Sequence, residues 1–239
     1  MRVVTVPALS DNYAYLVVDD ARRCAVVIDP SEADPVENAL AREGLALAGI
    51  LNTHHHWDHV GGNEKLVARH RCPVLAPFDD ALKIPSCTRT ISDESEQEVG
   101  GFRFRALHVP GHTLGAATYL FGDAAFTGDT LFLLGCGRLF EGTAEEMFRS
   151  FQRLAALPAS TQIFCGHEYV LSNLAFAESV DPSNISLRRR GEKFREARRL
   201  GEPSVPALLS DELLTNPFLR AADAEAFSLL RQAKDAFRA

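Results

Sequence analysis

The chain has 239 residues, of which 46% are hydrophobic and 24% charged, and its formal net charge is −7. These values are ordinary for a globular protein and allow one large domain with a small appendage. The acidic balance disfavours nucleic-acid binding, and no apolar run approaches the roughly 20 residues that span a bilayer. Because the opening residues 1–7 are typical of an edge strand and not of a secretory leader, we expect a cytoplasmic protein without a membrane segment.

Short apolar, β-rich runs alternate with turns over the first two thirds of the chain. The predicted strands are Val3–Val6, Tyr13–Val18, Ala25–Ile28, Leu47–Leu51, Val74–Ala76, Phe102–Leu107, Thr118–Phe121, Ala124–Thr127 and Gln162–Phe164. The predicted helices among them are Pro35–Arg42, Gly62–His70 and Thr143–Leu157. The third helix begins with a capping box, since Thr143 is followed three residues later by Glu146.

After about residue 167 helical periodicity replaces the β-branched runs. Helices are predicted at Tyr169–Ser179, Ile185–Leu200 and Asp223–Arg238, and prolines interrupt the stretch between the last two. We therefore expect a mixed α/β domain over residues 1–167, followed by a small helical domain over residues 168–239.

The five cysteines are scattered and form no C-x-x-C pair, so neither a zinc ribbon nor a disulfide framework is indicated. They are Cys24, Cys72, Cys87, Cys136 and Cys165. We expect them to be reduced and mostly buried.

The most informative segment places four potential metal ligands within six residues. His54, His56, Asp58 and His59 follow an apolar strand and precede Gly61-Gly62, so they should lie on a loop at the carboxyl end of that strand. Imidazoles and a carboxylate suit zinc, iron or manganese. His54 and His56 can point one way, whereas Asp58 and His59 come after the chain turns, so one loop could serve two metal ions.

Three later turns repeat one arrangement, in which a strand is followed by glycine and then by a ligand-type residue. They are Gly111-His112, Gly128-Asp129 and Gly166-His167. Each pair alone is a weak signal, but the three turns together with the loop of His54 to His59 predict a shared metal centre. We expect His55, His70 and His108, by contrast, to be structural or solvated.

The segment Thr53–His59 resembles the T-H-x-H-x-D-H signature of the metallo-β-lactamase superfamily, and the three later turns match in order. This resemblance covers residues 1 to about 167 and implies an α/β fold, a four-layer αββα sandwich with metals at one edge of its two sheets. A narrower resemblance, to the glyoxalase II family, extends over the helical part as well. It is carried by residues 128–132, 135–143, 165–169, 201–206 and 216–220.

The resemblance implies a thioester hydrolase with two divalent metal ions, zinc in the first place and iron or manganese as alternatives. One metal would be held by His54, His56 and His112, the other by Asp58, His59 and His167, with Asp129 bridging. Asp58 is also a candidate proton acceptor, so that Asp58 and Asp129 are the predicted catalytic residues. The implied glutathione contacts are Arg138, Tyr169, Arg231 and Lys234. Family members often carry tyrosine where this chain has Phe140, and a phenyl ring cannot donate a hydrogen bond.

The implied reaction is hydrolysis of S-(2-hydroxyacyl)glutathione, above all S-D-lactoylglutathione, by a metal-bound hydroxide. The products would be glutathione and a 2-hydroxy acid such as D-lactate, in the second step of methylglyoxal detoxification. Residues 1–167 would be catalytic and residues 168–239 would bind glutathione. We expect a monomer whose partner is this small molecule.

Four other functions are alternatives to this one. The first is a glutathione persulfide dioxygenase with a single iron on the same fold, which would not need the second metal's ligands. A β-lactamase would be expected to carry a leader, and an RNA-processing nuclease is supported only by the basic run between Arg188 and Arg199. A non-enzymatic binding module is disfavoured because every ligand position is filled.

Overall fold

The computed structural model describes residues 1–238 and divides into two compact units. The first unit comprises Met1–His108 and Gly115–Gly122, and the second comprises Val109–Leu114 and the chain from Asp123 onward. The predicted domain boundary after residue 167 lies inside the second unit, and that division stays a prediction. No helix among the described residues has the length and hydropathy needed to cross a membrane.

The first unit contains a six-stranded sheet in the order β1-β2-β3-β4-β5-β6. These strands are β1 (Arg2–Ala8), β2 (Asn12–Asp19), β3 (Cys24–Ile28), β4 (Ala46–Leu51), β5 (Val74–Pro77) and β6 (Arg89–Ile91). The first three are antiparallel, whereas β3 to β6 are parallel. The helices of this unit are α1 (Ala33–Glu43), α2 (Trp57–Val60) and α3 (Asn63–His70). Outside this sheet, the first unit contains β7 (Glu96–Val99), β8 (Phe102–His108) and β9 (Ala117–Phe121), in which β8 is antiparallel to both β7 and β9.

The parallel pairing of β3 and β4 positions the first candidate ligands. Ile28 is paired with Leu51 at the carboxyl ends of the two strands, and the amide of Asp29 donates to the carbonyl of Leu51 over 2.9 Å. Because parallel strands end at the same edge of a sheet, the turns after β3 and β4 are neighbours. Apolar side chains of β2, β3 and β4 pack with α1 and α3 into one core, which fixes that edge.

The second unit combines a few strands with five helices. Its strands are β10 (Ala124–Gly128), β11 (Leu131–Phe132), β12 (Gly135–Cys136), β13 (Gln162–Cys165) and β14 (Ala207–Leu208). Its helices are α4 (Ala144–Ala155), α5 (Val170–Val180), α6 (Ile185–Arg199), α7 (Leu209–Thr215) and α8 (Ala224–Ala236). β10 and β13 are parallel, β13 and β14 antiparallel, and β11 and β12 form a short hairpin. Asp129 and His167 therefore follow the ends of two adjacent parallel strands.

The elements that the sequence patterns did not predict are short. All nine predicted strands are present, and α4 begins with the predicted capping box of Thr143 and Glu146. The unpredicted strands are β6, β7, β11, β12 and β14, and the unpredicted helices are α2 and α7. Most of them have two to four residues, too few to show a period of their own, and they depend on pairing with distant partners. β14, a strand of two residues, lies within the predicted helical region.

Candidate metal centre

The loop after β4 brings two imidazoles of the first unit together. Nε2 of His54 lies 3.1 Å from Nδ1 of His56. Two ligands at about 2.1 Å from a tetrahedral zinc ion are about 3.4 Å apart, so the observed 3.1 Å is close to the spacing for a shared cation. His54 is buried and His56 is partly exposed, which leaves the pair open on one side.

Asp29, which the sequence patterns did not single out, organises this loop. Its carboxylate accepts from the amide of Thr53 over 2.7 Å and from the Thr53 hydroxyl over 2.6 Å, and its Oδ2 lies 3.0 Å from Nδ1 of His59. Asp29 is 2% exposed. A carboxylate on one ring nitrogen of a metal-binding histidine fixes the ring and leaves the other nitrogen for the metal. Asp29 therefore orients His59, whose Nε2 lies 3.7 Å from Oδ2 of Asp58.

Other polar neighbours hold the remaining ligands of this loop. The side-chain amide of Asn12 donates to two oxygens of Asp58, the backbone carbonyl over 3.0 Å and the carboxylate Oδ2 over 3.2 Å. The Thr53 hydroxyl lies 3.1 Å from Nδ1 of His54, so Nε2 of that ring is the nitrogen directed at His56. Asn12 and Thr53 are both buried, and their geometry is therefore set by the core.

The second unit contains the other three predicted ligands, which are the Asp129 carboxylate and the two imidazoles that lie close to one of its oxygens. Oδ2 of Asp129 lies 3.5 Å from Nε2 of His112 and 3.3 Å from Nε2 of His167. All three side chains are buried. Nδ1 of His112 lies 2.9 Å from the carbonyl oxygen of Arg138, which again leaves Nε2 as the ligand atom. These distances fit metal ligands that share the Asp129 carboxylate.

Two of the three glycines that precede these ligands have the positive φ that favours glycine. Gly111 has φ +144° and Gly128 has φ +49°, values that side chains with a Cβ rarely adopt. Gly166 does not have a positive φ among the described backbone angles. Its amide donates to the carbonyl of Gly128 over 2.9 Å, so the pairing of β13 with β10 directs the chain there instead.

Tyr169 and Phe140 flank the histidines of the second unit. The ring of Tyr169 stacks on His167 with centroids 4.7 Å apart and an angle of 5° between the planes, and it is 37% exposed. Phe140 is 61% exposed and meets His112 edge-on at 5.2 Å. Each ring therefore forms part of the surface beside a candidate ligand.

The three predicted cationic contacts differ sharply in exposure. Arg138 is exposed, whereas Arg231 is 4% exposed and donates from Nη1 to the carbonyl of Cys136 over 2.9 Å and from Nη2 to Asp235 over 2.9 Å. Lys234 is half-buried and donates to the carbonyl of Ser172 over 2.9 Å. The structure thus places Arg138 and Lys234 where a solvent molecule can reach them, and Arg231 within the protein interior.

Lys234 lies in an environment that disfavours its charge. Burial, together with the positive charges of Arg231 and Arg138 and against the opposing effect of Cys136, lowers the pKa of its ammonium group to about 8. An anion bound beside this amine would restore its proton affinity. The arrangement is therefore suited to holding a carboxylate.

The residues expected to be structural have polar partners of their own. Nδ1 of His55 lies 3.0 Å from Oδ2 of Asp80, and the His55 ring lies edge-on to that of His56 with centroids 5.0 Å apart. On the basic helix α6, Arg195 pairs with Glu178, Arg199 with Glu196, and Arg190 with the buried Glu212. Much of the positive charge that could attract RNA is thus already neutralised.

The cysteines are free thiols, as predicted, and Cys72, Cys136 and Cys165 are buried. Burial raises the pKa of Cys136 and of Cys165 to about 12. Both thiols are protonated at neutral pH and so lack the thiolate that binds metals or attacks substrates.

Comparisons with known proteins identify the family to which this chain is similar. The family model of the metallo-β-lactamase superfamily matches residues 9–167, and that of the hydroxyacylglutathione hydrolase C-terminus matches residues 168–237. A hydroxyacylglutathione hydrolase from Alkalilimnicola ehrlichii is 49% identical over 92% of this chain and 86% of its own length. One from Methylococcus capsulatus is 44% identical over 100% of this chain and 99% of its own length. Among solved structures, ETHE1 from Myxococcus xanthus has a TM-score of 0.75 at 27% identity, covering 97% of this chain and 90% of its own.

Proposed function

Because this chain belongs to the hydroxyacylglutathione hydrolase family of the metallo-β-lactamase superfamily, we propose that it hydrolyses S-(2-hydroxyacyl)glutathione, with S-D-lactoylglutathione as the expected substrate. The family membership confirms the predicted α/β class and the metallo-β-lactamase fold. The observation that carries the proposal is Oδ2 of Asp129, which lies within 3.5 Å of two imidazole nitrogens on separate turns. Such a carboxylate is suited to bridge two cations.

The proposed centre holds two divalent cations, with zinc as the proposed metal. In this assignment His54, His56 and His112 would hold one cation, Asp58, His59 and His167 would hold the other, and Asp129 would contact both. Support comes from the ligand spacing within each unit and from the neutral nitrogen and carboxylate donors, which suit zinc and also accept iron or manganese. When bound, such cations lower the pKa of a coordinated water from 15.7 toward roughly 7 and polarise a carbonyl oxygen.

The chain's own residues then have to orient the reactants and move protons. Asp58 is partly exposed, and Asn12 donates to its Oδ2 over 3.2 Å. The Asp58 carboxylate is the proposed proton acceptor. A strong acid is not needed on the other side of the reaction. The leaving group is a thiolate whose conjugate acid has a pKa of about 8.5, far below that of an amine leaving group.

Glutathione carries two carboxylates, and the proposal assigns their recognition to Arg138 and Lys234. Arg138 is exposed, and Lys234 is half-buried with a pKa near 8. Charge-assisted hydrogen bonds to carboxylates are about twice as strong as neutral ones. Tyr169, stacked on His167, would form a wall beside the acyl group.

The Michaelis constant is expected to depend on pH through Lys234. With a pKa of about 8 in the free protein, its ammonium group is mostly charged at pH 7 and mostly neutral at pH 9. We expect KM to rise several-fold over this interval, because only the charged form attracts a carboxylate. A Lys234→Arg variant, whose guanidinium stays charged, should show a much flatter KM profile. An equal rise in both proteins would exclude Lys234 as the titrating group.

The proposed activity is tested by the loss of thioester absorbance with S-D-lactoylglutathione as substrate, run with purified metal-loaded protein. We expect hydrolysis that is abolished by a chelator and restored by zinc. The competing persulfide dioxygenase is tested in parallel by oxygen consumption with glutathione persulfide. Oxygen uptake without thioester cleavage would overturn the proposal. Zinc as the metal, the monomeric state and a cytoplasmic location are parts of the same proposal, checked by metal analysis, gel filtration and cell fractionation.

A further inference from the structure

Buried polar side chains of the second unit form hydrogen bonds with the backbone of one loop. Asn173 donates to the carbonyl of Leu133 over 3.1 Å, and Glu212 accepts from the amide of Leu134 over 2.8 Å. Asn216 reaches the carbonyls of Phe132 and Gly135, each over 3.1 Å, and Arg231 reaches those of Cys136 and Gly137 over 2.9 and 3.5 Å. Every residue of the segment 132–137, which we call the moulded loop, thus contacts a polar side chain of α5, α7 or α8, or that of Asn216, which directly follows α7.

Glu212 is the centre of this network. It is fully buried, and its Oε2 accepts from Leu134 and, over 2.9 Å, from Asn216, while Oε1 pairs with Arg190. Arg190 also donates to the Thr215 hydroxyl over 2.7 Å. A buried carboxylate is tolerated because each oxygen is paired, and removing one partner is costly.

The moulded loop cannot hold this conformation alone. Its strands β11 and β12 have two residues each, and Leu134 between them has φ +57°, a left-handed conformation that is unfavourable for leucine. A two-stranded hairpin of this length is not stable without outside contacts. The polar side chains that contact the loop therefore determine where it lies.

The loop leads directly to two candidate metal ligands. The amide of Gly137 donates to the carbonyl of Thr130 over 3.1 Å, and a Cβ at Gly137 would lie only 1.8 Å from the carbonyl oxygen of Asp129. The carbonyl of the next residue, Arg138, is the group that faces Nδ1 of His112 over 2.9 Å. A shift of the loop would therefore move the Asp129 backbone and release the His112 ring.

We propose that Glu212, Asn216 and Asn173 are positioning residues for the metal centre and act on Asp129 and His112 through the moulded loop. The proposal rests on the proposed function only in taking those two residues as metal ligands. The helices would then support the metal centre in addition to binding glutathione. Arg231 would have the same task, since its guanidinium donates to the carbonyls of the loop.

The test replaces Glu212 with glutamine and measures zinc binding to the metal-free protein by competition with a chromophoric chelator. Glutamine has one acceptor oxygen, so its NH₂ group must face either Arg190 or the amide of Leu134. We expect the zinc affinity to fall at least about tenfold, as for other residues that orient metal ligands. In the loaded enzyme kcat should fall while KM for the thioester changes little. Asp211→Asn, an exposed neighbour on α7, is the control and should stay within about twofold in both measurements.

Asn173→Ala covers the case in which Glu212→Gln does not fold, because it removes a single hydrogen bond to the loop. It should retain a cooperative thermal transition and lose several-fold in zinc affinity. Folded variants with the zinc affinity and kcat of the parent protein would overturn the proposal. The zinc titration needs no substrate, so a parent protein without thioesterase activity would contradict the proposed function and leave this inference to be decided by the titration.

Discussion

Replacing Asp129 with alanine is expected to remove both metals at neutral pH and to lower kcat/KM by on the order of 10³-fold or more, because metal ions contribute several kcal/mol to such transition states. Its carboxylate lies 3.5 Å from Nε2 of His112 and 3.3 Å from Nε2 of His167. No other carboxylate of the second unit was assigned to the centre. The methyl group of alanine offers no ligand, so the two imidazoles would lose the negative charge that lets cations share the site. Metal content by elemental analysis and thioester hydrolysis measure the two effects separately.

Asp123→Ala is the matched control for this experiment. Asp123 is exposed and directly precedes β10, whereas Asp129 directly follows that strand. The side chain of Asp123 accepts a hydrogen bond from the side chain of Gln162 over 3.0 Å. Exposed polar contacts of this kind contribute little to stability. The control should keep two metals and full activity. An Asp129→Ala protein that retained both would refute the bridging assignment.

Replacing Asp29 with asparagine is expected to lower both the stability and the metal affinity of the protein. The buried carboxylate accepts from Thr53 twice and faces Nδ1 of His59. The asparagine NH₂ group must face at least one of these donors, which should cost about 1–3 kcal/mol of unfolding free energy. The released His59 ring should reduce zinc affinity by about 10- to 100-fold. Thermal unfolding of the metal-free protein and zinc titration report these losses.

Asp34→Asn serves as the control for Asp29. Asp34 is exposed on α1 and pairs at the surface with Lys65, an ion pair worth about 0–1 kcal/mol. The control should leave zinc affinity unchanged. If Asp29→Asn bound zinc as tightly as the control, Asp29 would have a structural role alone.

The turns that carry the candidate ligands could be singled out from the sequence because their signals are local. His54 to His59 are contiguous, and each later ligand follows a strand and a glycine, so a short window contains all the information needed. The capping box of Thr143 and Glu146 was found for the same reason. Local spacing also separated His55, which faces Asp80, from its ligand-like neighbours.

The groups that orient those ligands were not predicted, because their partners are distant in sequence. Asp29 lies 30 residues before His59, Asn12 lies 46 before Asp58, and Glu212 lies 78 after Leu134. Nothing near Asp29 or Glu212 in the sequence distinguishes them from surface carboxylates. Only the parallel pairing of β3 with β4, and the packing of α7 beside the hairpin, reveal which acidic residues are buried.

Arg231 and Lys234 differ in exposure, although their spacing predicts two equivalent cations. Arg231 and Lys234 are three residues apart, which predicts one helix face and two equivalent cations. The structure buries Arg231 against the carbonyl of Cys136 and leaves Lys234 half-exposed. Their different surroundings support different roles, with Lys234 as the substrate contact and Arg231 as a support for the moulded loop.

The most direct test of the binuclear centre is anomalous diffraction from a crystal of the metal-loaded protein, recorded above and below the zinc absorption edge. The account predicts two anomalous peaks about 3.5–4 Å apart, one bound by His54, His56 and His112, the other by Asp58, His59 and His167, with the Asp129 carboxylate between them. A single peak, or two peaks neither of which contacts Asp129, would contradict it.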